Sequence, residues 1–212
     1  MRGKTGAYTR FPHSGMDIRG FRADNYPMAL TPSSMIPLGT TAPDFSLPEV
    51  RSGQAVSLAD VAGDRGTLII FLCAHCPYVI HVREEIARIG RDYAGTGIGI
   101  AAISSNDIEN YPDDSPENLA AMARALDLVF PLLYDASQSV AKAYSAACTP
   151  DFFLFDAGLK LAYRGQLDDS RPGKGVPDGR DLRAAMDALL RGESPSADQK
   201  PSIGCNIKWR PA

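Results

Sequence analysis

The sequence predicts an α/β domain in which a central mixed β-sheet is flanked by helices and preceded by an N-terminal β-hairpin. Three observations predict it. Residues 67–72 form a continuous β-branched and aromatic run, the pattern of a strand covered on both faces of a parallel sheet. Strand and helix patterns then alternate, which implies parallel strands joined by right-handed crossovers. The alternation ends where residues 152–155 and 159–163 flank Asp156-Ala157-Gly158, a turn that makes those two strands antiparallel.

Residues 1–39 read as an N-terminal arm. Residues 1–27 carry Arg2, Lys4, Arg10, Arg19 and Arg22 against Asp17 and Asp24, but lack the apolar stretch of a secretory signal. A flexible or peripherally packed extension is expected there in preference to a transit peptide, and Met28 is an alternative start. The domain proper, 40–191, opens with an extended piece at 42–48 and a second strand at 53–58. After the buried strand, Val79, Val82, Ile86, Ile89 and Tyr93 recur at helical spacing opposite Arg83, Glu84, Glu85 and Arg88, with Gly95 as the stop. A strand at 98–104, a helix at 116–126, a strand at 130–134 and a short helix at 139–144 follow. After the 152–163 hairpin, residues 181–190 form the last helix, and 192–212 read as a C-terminal arm.

A chain of 212 residues with 44% hydrophobic content supports one well-formed core, and its formal net charge of −3 favours neither nucleic acid nor an anionic membrane surface as partner. The longest apolar run, 68–72, is far short of the roughly 20 residues that span a bilayer. Four cysteines are too few for a disulfide scaffold, so catalytic or metal-binding thiols in a reducing cytoplasm are expected.

Two of those cysteines stand in Cys73-Ala74-His75-Cys76-Pro77, where the buried strand gives way to a helix. Proline is favoured at the first helical position, so Pro77 places Cys76 at the N-cap. There the unpaired N–H groups and the helix dipole favour a thiolate. A cationic His75 would lower the thiol pKa further and make the disulfide more oxidising. On this argument Cys76 is the attacking thiol and Cys73 the resolving one. The reverse assignment is the alternative.

The order of elements resembles the thioredoxin-like fold. Ala42-Pro43-Asp44-Phe45-Ser46-Leu47, the motif Cys73-Ala74-His75-Cys76-Pro77-Tyr78-Val79 and the tail 202–209 are similar to redoxins of the alkyl hydroperoxide reductase/thiol-specific antioxidant (AhpC/TSA) family. The resemblance spans roughly residues 28–209. It implies that Thr149-Pro150 is a cis peptide facing the thiols and offering backbone to a bound substrate, and that Cys148 lies close by. Cys148 and Cys205 become candidate auxiliary thiols, each equally readable as an inert buried residue. The polar loop 165–179, with Asp168, Asp169, Arg171 and Lys174, would border the substrate groove. The acids Asp113 and Asp114 are expected only to serve the dipole of the helix that follows.

The leading functional expectation is a thiol-disulfide oxidoreductase acting on a protein or small-molecule disulfide and re-reduced by a thioredoxin- or glutathione-type donor, with no cofactor or metal. The second is a thiol peroxidase with Cys76 peroxidatic. Against it, the peroxiredoxin pattern Pro-x-x-x-Thr-x-x-Cys would need proline and threonine where this chain has Ile69 and Cys73. The third is a metal-binding protein using Cys73, His75 and Cys76 with His81, Cys148 or Cys205. No second Cys pair at zinc-finger spacing completes that set.

Overall fold

A computed structural model describes residues 30–211; residues 1–29, most of the expected N-terminal arm, lie outside them. The described chain runs β1 (Leu30–Pro32), β2 (Ser46–Pro48), β3 (Ala55–Ser57), α1 (Leu58–Val61), β4 (Gly66–Phe71), α2 (Pro77–Asp92) and β5 (Ile98–Ser104). A 3-10 turn (Pro112–Asp114) then precedes α3 (Pro116–Ala125), β6 (Leu132–Tyr134), α4 (Ser139–Ala143) and β7 (Cys148–Thr149). The chain finishes with β8 (Asp151–Asp156), β9 (Leu161–Tyr163), α5 (Arg180–Leu190) and β10 (Ile203–Asn206).

The main sheet has the order β6-β5-β4-β8-β9. β4, β5 and β6 are parallel, while β8 lies antiparallel to β4 and β9 antiparallel to β8. Successive residues of β4 face opposite sides, so Leu68 and Ile70 join one half of the core and Ile69 and Phe71 the other. α2, α3 and α5 cover the first face; α1, α4 and the β2–β3 hairpin cover the second. Every residue of β4 is buried, as the apolar run Leu68 to Phe71 requires.

Three local differences from the sequence reading have identifiable causes. The strand expected at 53–58 stops at Ser57, because Ser57 and Asp60 form a reciprocal capping box that starts α1. The strand expected from residue 130 begins at Leu132. Phe130 instead packs against Gly90, where an added Cβ would lie 2.6 Å from its ring. In the 152–163 hairpin, Asp156 Oδ1 accepts the N–H groups of Gly158 and Lys160, which lengthens the turn and delays β9 to Leu161.

A second sheet, of order β1-β10-β7, was not foreseen. Both of its pairings are antiparallel. It brings the C-terminal segment against the end of the main sheet where β4 hands over to α2, and this positions the site.

Candidate functional site

Helix α2 begins at Pro77 with Cys76 as its N-cap, as the proline predicts. The Cys76 side chain does not cap the helix; Cys76 Sγ lies 3.2 Å from Thr149 O and 2.8 Å from Cys205 Sγ. Cys73 Sγ lies 3.4 Å from Thr149 Oγ1. The Thr149–Pro150 peptide is cis. Cys73, Cys76, Thr149 and Cys205 therefore meet in one buried cluster, built from the β4–α2 junction, β7 and β10.

The cluster is electrostatically asymmetric. Burial opposes ionisation of Cys76, but its interactions with Cys205 and Cys73 outweigh burial and lower its pKa below the usual thiol range. Burial raises Cys73 well above that range, and the neighbouring Cys76 and Asp114 add to the rise. Cys205 is also raised, first through its hydrogen bond with Cys76 and then by burial. Ionisation is thus favoured at Cys76 over Cys73 and Cys205. In its neutral form Cys76 donates to Thr149 O or to Cys205 Sγ.

Asp114 is the functional residue that sequence reasoning missed, and its expected role at the helix dipole is corrected here. It is fully buried, and Oδ1 accepts the N–H groups of Ala74 (2.7 Å) and His75 (3.3 Å). Oδ2 accepts from Asn106 Nδ2 (2.7 Å) and pairs with His75 Nδ1 (2.7 Å). The loop between the two motif cysteines is therefore folded around this carboxylate. Burial works against a charged His75, but the hydrogen bond and charge of Asp114 raise its pKa overall. The His75 ring stacks on Tyr111 at 6.0 Å, and Lys208 Nζ lies 5.4 Å from the centre of the Tyr111 ring.

Because His75 is raised in the folded state, its pair with Asp114 contributes fully below the ordinary histidine pKa. The contribution is lost as pH rises through the raised folded value. Thermal unfolding of His75→Gln beside the wild type should therefore show a stability gap that is wide at acidic pH and narrows above neutrality. A gap independent of pH would contradict the pairing.

The remaining sequence candidates separate clearly. Cys148 is buried and its Sγ lies 3.6 Å from Pro150 O; burial raises its pKa, as for an apolar core cysteine. His81 Nε2 meets Ser170 Oγ at 3.1 Å, away from the thiols. With Tyr78, Pro150, Ser170, Arg171 and Ser202 it lines a small cleft to which the 165–179 loop contributes. Of the residues considered for a metal, Cys73 and His75 converge with Asp114, their donor atoms within 4.8 Å of one another, and these three could hold an ion.

No helix among the described residues is long and apolar enough to cross a membrane. The fold is thioredoxin-like. The profile of the AhpC/TSA family matches residues 38–164. The solved structure of an uncharacterised conserved protein from Geobacillus kaustophilus is 54% identical, with a TM-score of 0.86 over 88% of this chain and 100% of that one. A Mycobacterium tuberculosis protein called a putative peroxiredoxin is 31% identical over 117 residues, 55% of this chain and 69% of the relative. The thiol:disulfide interchange protein DsbE of Allochromatium vinosum is 27% identical over 116 residues, 55% of this chain and 59% of DsbE.

Proposed function

Since the chain belongs to the AhpC/TSA family, we propose that it is a thiol-disulfide oxidoreductase in which Cys76 attacks a substrate disulfide and Cys73 is the resolving thiol. The observation that carries the proposal is the asymmetry of the cluster: Cys76 stands at the N-cap of α2 with Cys205 Sγ 2.8 Å away and its pKa lowered, while burial raises the pKa of Cys73 beside it. Exchange needs both states, a thiolate to attack and a neighbour that ionises only when its turn comes. Cys76 forms a mixed disulfide and one substrate thiol leaves. Cys73 then attacks the Cys76 sulfur and passes its proton to the second leaving thiolate. The product is a Cys73–Cys76 disulfide, returned to dithiol by a thioredoxin- or glutathione-type donor. Thr149 and Pro150 line the substrate approach, His75 on Asp114 keeps positive charge beside the thiols, and a reducing cytoplasm would keep all four cysteines free. The kinship with DsbE supports exchange chemistry.

A thiol peroxidase is the second reading, favoured by the kinship with the mycobacterial protein called a putative peroxiredoxin. It would pass through a Cys76 sulfenic acid. Cys73 stands where a peroxiredoxin places its threonine, and the Thr149 hydroxyl, 3.4 Å from Cys73 Sγ, also acts on Cys76. Stopped-flow turnover of a protein disulfide and of hydrogen peroxide by the same preparation separates the two. Exchange predicts faster disulfide turnover; rapid peroxide consumption with negligible disulfide reduction would reverse the order.

A further inference from the structure

Cys76 is 0% exposed, and part of what covers it is the chain's own C-terminal strand. β10 pairs with β7 so that Cys205 sits opposite Thr149 and Asn206 opposite Cys148, while β1 pairs along its other edge. A polypeptide bringing a cysteine to Cys76 along β7 would need the line that β10 already occupies. β10 also carries such a cysteine, with its sulfur 2.8 Å from Cys76. Gly204 permits this close approach: a Cβ there would lie 2.0 Å from Thr149 O and 3.2 Å from Pro150 N.

The strand is paired along both edges, Cys205 and Ile207 are buried in the core, and polar clips fasten its flanks. Ser33 N–H donates to Ser202 O (2.9 Å), Ser202 Oγ to Pro150 O (2.8 Å) and Ile207 N–H to Ala147 O (3.2 Å). Farther along, Lys208 N–H donates to Asn106 Oδ1 (2.8 Å), and Gln138 spans Lys208 O and the Arg210 N–H. The connection from α5, residues 191–201, is exposed or half-buried along its length.

We propose that β10 is a tethered gate over Cys76 and that Cys205 is the thiol it carries to capture oxidised Cys76 before Cys73 does. The proposal rests on Cys76 being the nucleophile and adds a step to its cycle. With the gate open, Cys76 thiolate attacks a disulfide and one thiolate leaves. The gate closes, Cys205 sulfur bonds to Cys76 sulfur, the bond from Cys76 to the substrate breaks, and the Cys205 proton goes to the second leaving thiolate. One substrate disulfide has become two thiols, and two protein thiols have become the Cys76–Cys205 disulfide. Cys73 then displaces Cys205 from Cys76, passing its proton to Cys205, and the gate is free to open again with no further change in oxidation state.

Two measurements on the full chain test this. Oxidised glutathione added to the reduced wild type, acid-quenched at successive times and mapped by mass spectrometry, should yield the Cys76–Cys205 pair before the Cys73–Cys76 pair. A Cys73–Cys76 disulfide from the first time point, with Cys205 never linked, would overturn the capture step. Gly204→Val should displace the strand without altering a thiol, so Cys76 of the reduced variant should react with a polyethylene-glycol maleimide at least about tenfold faster than wild type. Cys205→Ser, which keeps the strand, should gain much less. Equal labelling in wild type and Gly204→Val would overturn the gate, and because labelling needs no turnover, the exchange reading would still stand or fall on its own assay. Should Gly204→Val fail to fold, the wild-type mapping decides alone.

Discussion

Replacing Cys76 with serine is expected to abolish disulfide reduction, a loss on the order of a thousandfold or more in kcat/KM, because the pKa values of the other three cysteines are raised and only that of Cys76 is lowered. Cys73→Ser should behave differently. Its Cys76 still attacks, so a first turnover proceeds and stalls as a mixed disulfide or as Cys76–Cys205. Single-turnover kinetics with intact-mass readout check both variants. If Cys73→Ser loses the first attack while Cys76→Ser retains it, the roles of the two cysteines are reversed.

The second large effect concerns the support beneath the site. Arg164 and Asp151 are both 0% exposed and form a bidentate ion pair, with the guanidinium 3.7 Å from the centre of the Phe153 ring. Asp151 follows Pro150 directly. It also accepts from Ser33 Oγ (2.9 Å) and the Ala147 N–H (3.0 Å), so one carboxylate ties together β8, the approach to β7 and the segment after β1. Removing one partner of a buried pair leaves the other charge without compensation. Arg164→Met should therefore cost about 3–5 kcal/mol, roughly 10 °C or more in Tm for a chain of this size. The double variant Arg164→Met/Asp151→Asn should recover part of the loss, since it removes the stranded charge. Thermal unfolding of the single and double variants measures both. A single-variant loss below about 1 kcal/mol would show that the pair is not the anchor its burial implies.

What the sequence made legible follows local rules. Short apolar runs bounded by turn signals and the order of strand and helix patterns located the five strands of the main sheet and helices α2 to α5, and Pro77 located the helix start that makes Cys76 its N-cap. The cis Thr149–Pro150 peptide came from the resemblance alone, since residue types do not specify an isomer. What stayed hidden depends on contacts between distant residues. Cys205 lies 129 positions from Cys76 and Asp114 lies 40 positions from Ala74. No periodicity encodes either meeting. β10 was unreadable for a related reason: four residues containing a glycine and an asparagine carry little strand signal, and the pairing with β7 and β1 supplies what propensity does not. Asp114 looked like an ordinary acid ahead of a helix, and only its burial beneath the Cys73–Cys76 loop reveals its use.

The account turns on Cys76 being the one cysteine that is ionised in the resting protein. Thiolate absorbance near 240 nm, followed from about pH 5 to about pH 10 in wild type and Cys76→Ser, tests this without requiring reagent access to the buried cluster. One equivalent of thiolate should be present in the wild type at the acidic end and missing from the variant. A wild-type signal that appears only in the ordinary thiol range, or an acidic thiolate that survives in Cys76→Ser, would contradict it.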